Sequence, residues 1–167
     1  MTRPPIRPAE PTDGPVLRAL QSELLSPWPE LLDLALHGPG PLCLVAERSD
    51  ADRSGGDDRV VGYVLALAGD TESPSTDVDD ACHVVELVVA PEARREGYGS
   101  ALLDAVAERV DADRLRLTVR ADDDAARAFY EHHGFTPVER LPDYYAVDSG
   151  TRPQGGSRDG LLLEKSY

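Results

Sequence analysis

A strand-like run joined to a helix-like run by a glycine-containing turn is the feature that most constrains the fold of this chain. The run HVVELVV at 83–89 is rich in β-branched residues, as strands are. The run SALLDAVAERV at 100–110 repeats apolar residues at helical spacing. Between them, residues 94–99 read RREGYG, and a glycine turn that opens a helix can present backbone N–H groups to an anion. The turn alone leaves two interpretations open, an anion-binding site and an ordinary turn.

Short apolar runs along the chain predict its strands. They occur at Ile6-Arg7 and at PLCLVAE (41–47), RVVGYVLALAG (59–69), ACHVVELVV (81–89), DRLRLTV (113–119), FTPVERL (135–141) and LLLEKSY (161–167). Interleaved with the helical patterns described next, these runs predict one mixed α/β domain over residues 1–167. The acidic segments 49–58 and 70–80 are predicted to be mobile loops of that domain.

Three further helices are predicted from spacing and capping residues. The first begins near Asp13 as N-cap and has an apolar face of Leu17, Leu20, Leu24 and Leu25. The second lies within SPWPELLDLALHGPG, and the glycines and proline at 38–40 end it. The third lies within DDDAARAFYEHHGF, with an aspartate among 122–124 as N-cap and Gly134 at C′.

Composition excludes several classes of protein. The chain has 167 residues, 41% of them hydrophobic, which suits one domain with a sizeable core. No apolar run is long enough to span a membrane, and the N-terminal segment has no apolar signal region, so a cytoplasmic location is expected. Cys43 and Cys82 lie in apolar runs and are expected to be buried free thiols. No metal site is expected.

The charge balance is strongly acidic, with 31 Asp and Glu against 17 Lys and Arg and a formal net charge of -14. Such a surface repels phosphate backbones and anionic lipids, which argues against binding to nucleic acids or membranes. Lys165 is the one lysine among the basic residues. Acidity combined with scarce lysine is typical of proteins adapted to high salt, and we prefer that interpretation to an ordinary acidic protein.

Two motifs resemble those of the GNAT superfamily of N-acetyltransferases. The turn Arg94-x-x-Gly97-x-Gly99 is similar to the loop that binds the pyrophosphate of acyl-CoA at the start of the central helix. The later motif is similar to the family's Asn-x-x-Ala-x-x-x-Tyr-x-x-x-Gly-Phe helix, and it reads here Asp123-x-x-Ala126-x-x-x-Tyr130-x-x-x-Gly134-Phe135. The resemblance implies an α/β, single-domain GNAT fold. In that fold a mixed, mostly antiparallel sheet is splayed at the acyl-CoA site and flanked by about four helices. It also implies an acetyltransferase that uses acetyl-CoA.

A narrower likeness, to the ribosomal-protein-alanine type of N-terminal acetyltransferase, concerns the acceptor. It implies that two aromatic segments flank an incoming peptide N-terminus, namely Ser26, Pro27 and Trp28 in one segment and Tyr144 and Tyr145 in the other. For Trp28, packing between helices is the competing interpretation. Small-amine or lysine acetylation, and acyl-CoA binding without turnover, are the alternative functions. A monomer or a homodimer is expected.

The resemblance also assigns roles to individual residues. Tyr130 matches the tyrosine that protonates the coenzyme thiolate, and the base that takes the proton of the amine is His83, Glu86 or a water molecule. Strand parity puts His83 and Glu86 on opposite faces unless a bulge intervenes. The residues expected to bind the cofactor are Leu87, Val89, Arg94, Arg95, Glu96, Gly97, Tyr98, Gly99, Ser100, Asp123 and Tyr130.

The chain departs from the family pattern at three positions. Glu96 adds a negative charge beside the phosphate loop, where relatives often carry a neutral or basic residue. Asp123 replaces asparagine, and Thr118 stands where the alanine-type relatives often carry a glutamate that acts as base. A threonine hydroxyl cannot act as a base near neutral pH.

We expect the stability of this protein to rise steeply with KCl concentration. Carboxylates that repel one another at low ionic strength are screened by salt, and the screening length has already fallen to about 3 Å at about 1 M. A thermal midpoint that rises further above that concentration would reflect binding of cations and water by the acidic surface. A midpoint that is flat from low to multimolar KCl would contradict the interpretation as a salt-adapted protein.

Overall fold

The computed structural model describes residues 3–24, 26–48, 59–68, 81–110, 112–145 and 158–167. The predicted loops 49–58 and 70–80 lie outside the described residues, and so does Leu25. In the described part the strands and helices follow the predicted order. The strands are β1 Ile6–Pro8, β2 Leu42–Arg48, β3 Arg59–Leu67, β4 Ala81–Val89, β5 Arg114–Arg120, β6 Thr136–Leu141 and β7 Gly160–Ser166. The helices are α1 Gly14–Gln21, α2 Pro29–His37, α3 Tyr98–Arg109 and α4 Asp124–His132.

The strands form a seven-stranded mixed sheet in the order β1-β2-β3-β4-β5-β7-β6. The chain divides into two compact units, Met1–Ala68 with Val84–Asp111, and Gly69–His83 with Ala112–Tyr167. Strand β4 therefore contributes its first residues to the second unit and the rest to the first.

In the first unit, β1 pairs antiparallel with β2, and β2 pairs antiparallel with β3. Helix α3 packs on β2 and β3, while α1 and α2 pack on each other. Strand β3 is buried from Val60 to Ala66, which explains why its sequence reads as an almost continuous apolar run and not as an alternation. The core of this unit includes Leu17, Leu32, Leu44, Tyr63 and Leu102.

In the second unit, β4 pairs in parallel with β5 through Ala81, Cys82 and His83, and β4 then runs on to Val89. Strand β5 pairs antiparallel with β7, and β6 pairs antiparallel with the other side of β7. This short parallel pairing agrees with the open sheet that the sequence predicted. Cys43 and Cys82 are both buried free thiols, as expected, and burial raises the pKa of Cys43 to about 12 and that of Cys82 to about 11.

The first helix differs from the prediction in its cap and its length. Asp13 stands at the N-cap position, but its carboxylate makes no cap hydrogen bond to α1. The Arg7 guanidinium donates to both Asp13 oxygens, at 2.8 and 2.9 Å, and the backbone N–H of Glu10 donates at 2.7 Å. These bonds hold the pKa of Asp13 below its ordinary value, with Arg7 as the largest cause. Helix α1 ends at Gln21, so Leu24 follows the helix and does not extend its apolar face.

None of the helices in the described ranges is both long and apolar enough to cross a membrane.

Candidate functional site

The glycine turn before α3 has the backbone geometry of an anion-binding helix terminus. Gly97 is the N-cap residue with a φ of 87°, a left-handed conformation that glycine adopts without strain, and a Cβ there would meet no atom within 4 Å. The N–H groups in the first turn of a helix have no intrahelical acceptors. Here the cap supplies no side-chain acceptor, and the first turn contains no acidic residue. The turn can therefore direct the Tyr98 and Gly99 N–H groups toward an anion.

Charged side chains near this turn make specific pairs. The Arg94 Nε donates to the Val89 carbonyl at 3.1 Å, and its guanidinium lies 4.0 Å from the Glu23 carboxylate. The Glu96 carboxylate lies 3.2 Å from the Arg48 guanidinium at the end of β2. Arg48 therefore compensates the negative charge that Glu96 brings to the turn. Arg95 is exposed and has a positive φ of 65°.

The carboxylate of Glu86 is buried on β4 and accepts hydrogen bonds from three residues. Glu86 as a whole is 4% exposed. Gln21 Nε2 donates to both carboxylate oxygens at 3.1 Å, Tyr63 Oη donates at 2.8 Å, and the backbone N–H of Trp28 donates at 2.7 Å. Strand β4, strand β3, the end of α1 and the start of α2 therefore meet at one negative group.

Two of these residues, Gln21 and Tyr63, were not predicted from the sequence. Gln21 is four residues after Leu17, on the apolar face of α1, and a polar residue at such a position is a signal that was available. Burial is the largest cause that raises the pKa of Tyr63 above its ordinary value, and the charge of Glu86 adds to it. Tyr63 therefore remains a proton donor to Glu86 throughout the neutral range.

The two candidate bases on β4 lie in different environments. His83 is exposed, whereas Glu86 is buried. From Val84 to Ala90 the even-numbered residues are buried and the odd-numbered residues Val85, Leu87 and Val89 are more exposed, as the alternation of a regular strand requires. The alternation is unbroken over residues 84–90.

The indole of Trp28 is 51% exposed, although the backbone of this residue is anchored on Glu86. Trp28 is the N-cap residue of α2, and Ser26 and Pro27 before it are exposed. The structure thus brings the predicted acceptor segment to Glu86 and leaves its aromatic ring accessible. This exposure argues against packing of the ring between helices.

In the second unit, Tyr130 lies on α4 among aromatic side chains. Its ring meets Phe129 and Phe135 edge to face, with centroid distances of 5.1 and 5.7 Å. Burial raises its pKa above the ordinary value, and Tyr145 and Asp123 contribute further. Asp123 accepts a hydrogen bond from the Ala126 N–H at 3.0 Å, so aspartate performs the N-cap role of the asparagine it replaces.

The adjacent residues Tyr144 and Tyr145 are held differently. The Tyr145 hydroxyl donates to the Thr118 carbonyl on β5 at 3.2 Å, and burial raises its pKa to about 12. Tyr144 is 53% exposed. A Cβ on Gly160 would lie 2.8 Å from Thr118 Cγ2 and 3.0 Å from Tyr144 Cβ, so a glycine at this position is required for the two residues to approach. Tyr145 is the anchored member of the pair, and Tyr144 is the accessible one.

Comparison with known proteins gives one family match and two curated relatives. The model of the Acetyltransferase (GNAT) family matches residues 13–135. The N-terminal acetyltransferase B complex catalytic subunit naa20 of Schizosaccharomyces pombe is 28% identical over 127 residues, which are 74% of this chain and 62% of that protein. The mycothiol acetyltransferase of Streptosporangium roseum is 38% identical over 93 residues, which are 53% of this chain and 27% of that protein. The chain thus spans less than two thirds of the length of either relative.

Solved structures share the fold at low sequence identity. Arabidopsis thaliana NAA60 in complex with a bisubstrate analogue has a TM-score of 0.77 and 21% identity, covering 97% of both chains. The same protein in complex with acetyl-CoA has a TM-score of 0.75 and 20% identity, covering 98% of both. The ribosomal-protein-S18-alanine N-acetyltransferase of Escherichia coli has a TM-score of 0.70 and 22% identity, covering 97% of this chain and 92% of that one. These likenesses confirm the predicted GNAT fold.

We expect Tyr63 to stay protonated in the folded protein at pH values where ordinary phenols have ionised. Because its pKa is raised in the folded state, the neutral phenol contributes stability that is fully present below about pH 10. That contribution is lost as the pH rises through the folded-state pKa. Titration of phenolate absorbance should therefore give equal signals for wild type and Tyr63→Phe up to about one unit above the ordinary pKa of about 10.

The control for this titration is the same measurement in denaturant. There all six tyrosines of the wild type are accessible, and the wild type must exceed the variant by one phenol. A difference of one phenol at the ordinary pKa in the folded protein would contradict the assignment of Tyr63 as a buried donor to Glu86.

Proposed function

Because the chain belongs to the Acetyltransferase (GNAT) family, we propose that it transfers an acetyl group from acetyl-CoA to a primary amine, with a protein N-terminal α-amine as the preferred acceptor. The observation that carries the proposal is the start of α3. There a left-handed Gly97 opens a twelve-residue helix with no side-chain cap, and a Cβ on Gly97 would meet no atom of the described residues within 4 Å. A terminus of this kind suits the pyrophosphate of a coenzyme A thioester.

Binding of an anionic coenzyme to a chain of net charge -14 requires a local positive field. The aligned peptide dipoles of α3 place about half a positive charge at its N-terminus. The backbone N–H groups of residues 95–100 are proposed to hold the phosphates. The pair between Arg48 and Glu96 supports this role, because it compensates the one carboxylate of the turn. A crystal structure of a plant relative in complex with acetyl-CoA also supports this choice of donor.

Tyr130 is proposed as the acid that protonates the leaving coenzyme thiolate. Its raised pKa keeps the phenol protonated through the neutral range, so the proton is available when the thiolate forms. The proton of the amine is taken by His83, Glu86 or water. A peptide α-amine has a pKa of about 8, against about 10.4 for a lysine side chain, so an N-terminal acceptor requires little help from a base.

A protein N-terminus is favoured as the acceptor by two relatives and by the accessible aromatic side chains. One relative is named as the catalytic subunit of an N-terminal acetyltransferase complex, and another as an enzyme acting on the alanine of a ribosomal protein. Trp28 and Tyr144 are each about half exposed, so each ring is accessible to an acceptor.

A small-molecule amine is the second candidate acceptor. It is supported by the match to a mycothiol acetyltransferase, whose name specifies a small molecule as the acetylated compound. Binding of acyl-CoA without turnover is a third candidate function, because Thr118 and Asp123 depart from the residues that catalytic relatives carry at these positions.

The discriminating experiment is an assay of thiol release from acetyl-CoA with short peptides, with small amines and without an acceptor. Thiol release that depends on peptides supports the proposal, and release with small amines alone replaces it by the second candidate. Coenzyme binding without release under any condition would leave a binding domain.

We expect Gly97→Asp to lose coenzyme A binding and Gly97→Asn to keep most of it. Both residues tolerate the left-handed backbone and have nearly the same shape, so the pair differs chiefly in charge. A carboxylate close to the phosphates should lower affinity at least about tenfold more than the amide does. Calorimetric titration with coenzyme A measures both variants, and circular dichroism checks that they are folded. Equal affinities would remove the start of α3 from the coenzyme site.

Substitutions of Tyr130 and Tyr144 should separate catalysis from acceptor binding. Tyr130→Phe should lower kcat by about 10²–10⁴, the usual contribution of one general acid. Tyr144→Ala should raise the KM for a peptide and leave the KM for acetyl-CoA unchanged, because it removes contacts with the acceptor alone. Tyr167→Ala is the matched control, since Tyr167 is also an exposed tyrosine and has no proposed role. An unchanged peptide KM in Tyr144→Ala would remove this residue from the acceptor site.

A further inference from the structure

The carboxylate of Glu86 binds both ends of the connection between α1 and α2. Gln21 is the last residue of α1 and donates to both oxygens of Glu86. Trp28 is the N-cap residue of α2, and its backbone N–H donates to Oε1 at 2.7 Å. The segment 22–27 between them therefore starts and ends on one carboxylate.

The sequence leaves this connection few other ways to be held at its second end. In the run Pro27-Trp28-Pro29 neither proline has an N–H group, so Trp28 carries the single backbone donor. That donor is directed to Glu86, and the indole of the same residue is exposed. The backbone from which the ring projects is therefore held by the Glu86 carboxylate.

The same hydrogen bonds occupy the lone pairs that a base would use. An ionised carboxylate offers about four acceptor positions. Oε1 accepts from Trp28 N–H at 2.7 Å, Oε2 accepts from Tyr63 Oη at 2.8 Å, and Gln21 Nε2 lies 3.1 Å from both oxygens, so three donor groups bind the carboxylate. The residue is also 4% exposed. A general base must present a lone pair to the proton that it removes, whereas both oxygens of this carboxylate already accept hydrogen bonds from inside the protein.

We propose that Glu86 is a positioning residue and not the base: its carboxylate fixes the α1–α2 connection and thereby sets the orientation of Trp28 toward the acceptor. The inference deepens the proposed function and rests on it for the identity of the acceptor. The tether itself is a property of the folded chain, and it can be measured without turnover.

Trp28 is the single tryptophan of the chain, so its fluorescence reports on the tether directly. Glu86→Ala should lower the fluorescence anisotropy of the indole by most of its value, because no acceptor then holds the backbone N–H of Trp28. Glu86→Gln should retain the anisotropy. Its amide oxygen can accept from Trp28, and its amide nitrogen can donate to Tyr63 Oη or to the carbonyl oxygen of a flipped Gln21. Anisotropy that is unchanged in both variants would overturn the tether.

The kinetic comparison uses the same two variants with a peptide acceptor. If Glu86 positions the connection, Glu86→Ala should raise the peptide KM at least about tenfold, as the loss of hydrogen bonds to a charged group predicts. Glu86→Gln should rescue most of that loss and keep the pH profile of kcat/KM. If Glu86 is the base, Glu86→Gln should lower kcat by about 10²–10⁴ and abolish the acidic limb of the profile, and this result would overturn the proposal.

Tyr63→Phe provides a second variant in case Glu86→Ala does not fold. It removes one donor and leaves the carboxylate in place, so we expect a partial loss of anisotropy with an unchanged acidic limb. A shifted limb with unchanged anisotropy would again identify Glu86 as a base. A wild type that releases no thiol with any acceptor would end the proposed function, whereas the anisotropy of the variants would still decide whether Glu86 holds the connection.

Discussion

A buried carboxylate on β4 accepts hydrogen bonds from β3 and from both ends of the connection between α1 and α2, and so determines how that connection is held. An ion as poorly exposed as Glu86 is costly unless donors replace the water it has lost. Gln21, Tyr63 and the Trp28 N–H replace that water, and each comes from a different element. The cost of removing any one donor is therefore not confined to that residue, because the buried carboxylate then loses one of the groups that replace its water.

At the start of α3, the attraction of the helix N-terminus for an anion is opposed by the negative charge of the rest of the chain. The net charge is -14, but charges separated by more than about 8–10 Å are largely screened at physiological ionic strength. A phosphate bound at this turn, as proposed, would meet the nearest groups: the first-turn N–H groups, the Gly97 backbone and the pair between Arg48 and Glu96. A strongly acidic protein can bind an anion at such a place because geometry within contact distance outweighs the distant carboxylates.

Much of the fold could be predicted from the sequence because it is determined locally. The strand, glycine turn and helix around Gly97 were predicted from apolar periodicity and turn chemistry, and the order of the seven strands along the chain followed in the same way. The contacts of Glu86 could not be predicted, because Gln21 and Tyr63 lie 65 and 23 residues away in sequence. Asp13 stands at the predicted N-cap position, but its carboxylate does not cap α1, because the Arg7 guanidinium from β1 binds it instead. The sequence also does not show which of Tyr144 and Tyr145 is accessible. Tyr145 is held by the Thr118 carbonyl on β5, and that contact exists only in the folded chain.

The Pro27-Trp28-Pro29 run has a consequence for how motion of this region can be followed. Prolines carry no amide proton, so the tripeptide contains one exchangeable backbone hydrogen, and that hydrogen points at a carboxylate that is 4% exposed. Protection of that hydrogen against exchange with deuterated water depends on one contact, with no neighbouring amide in the run to share the signal. Its exchange rate is therefore a measure of how often the start of α2 separates from β4, reported by a single proton.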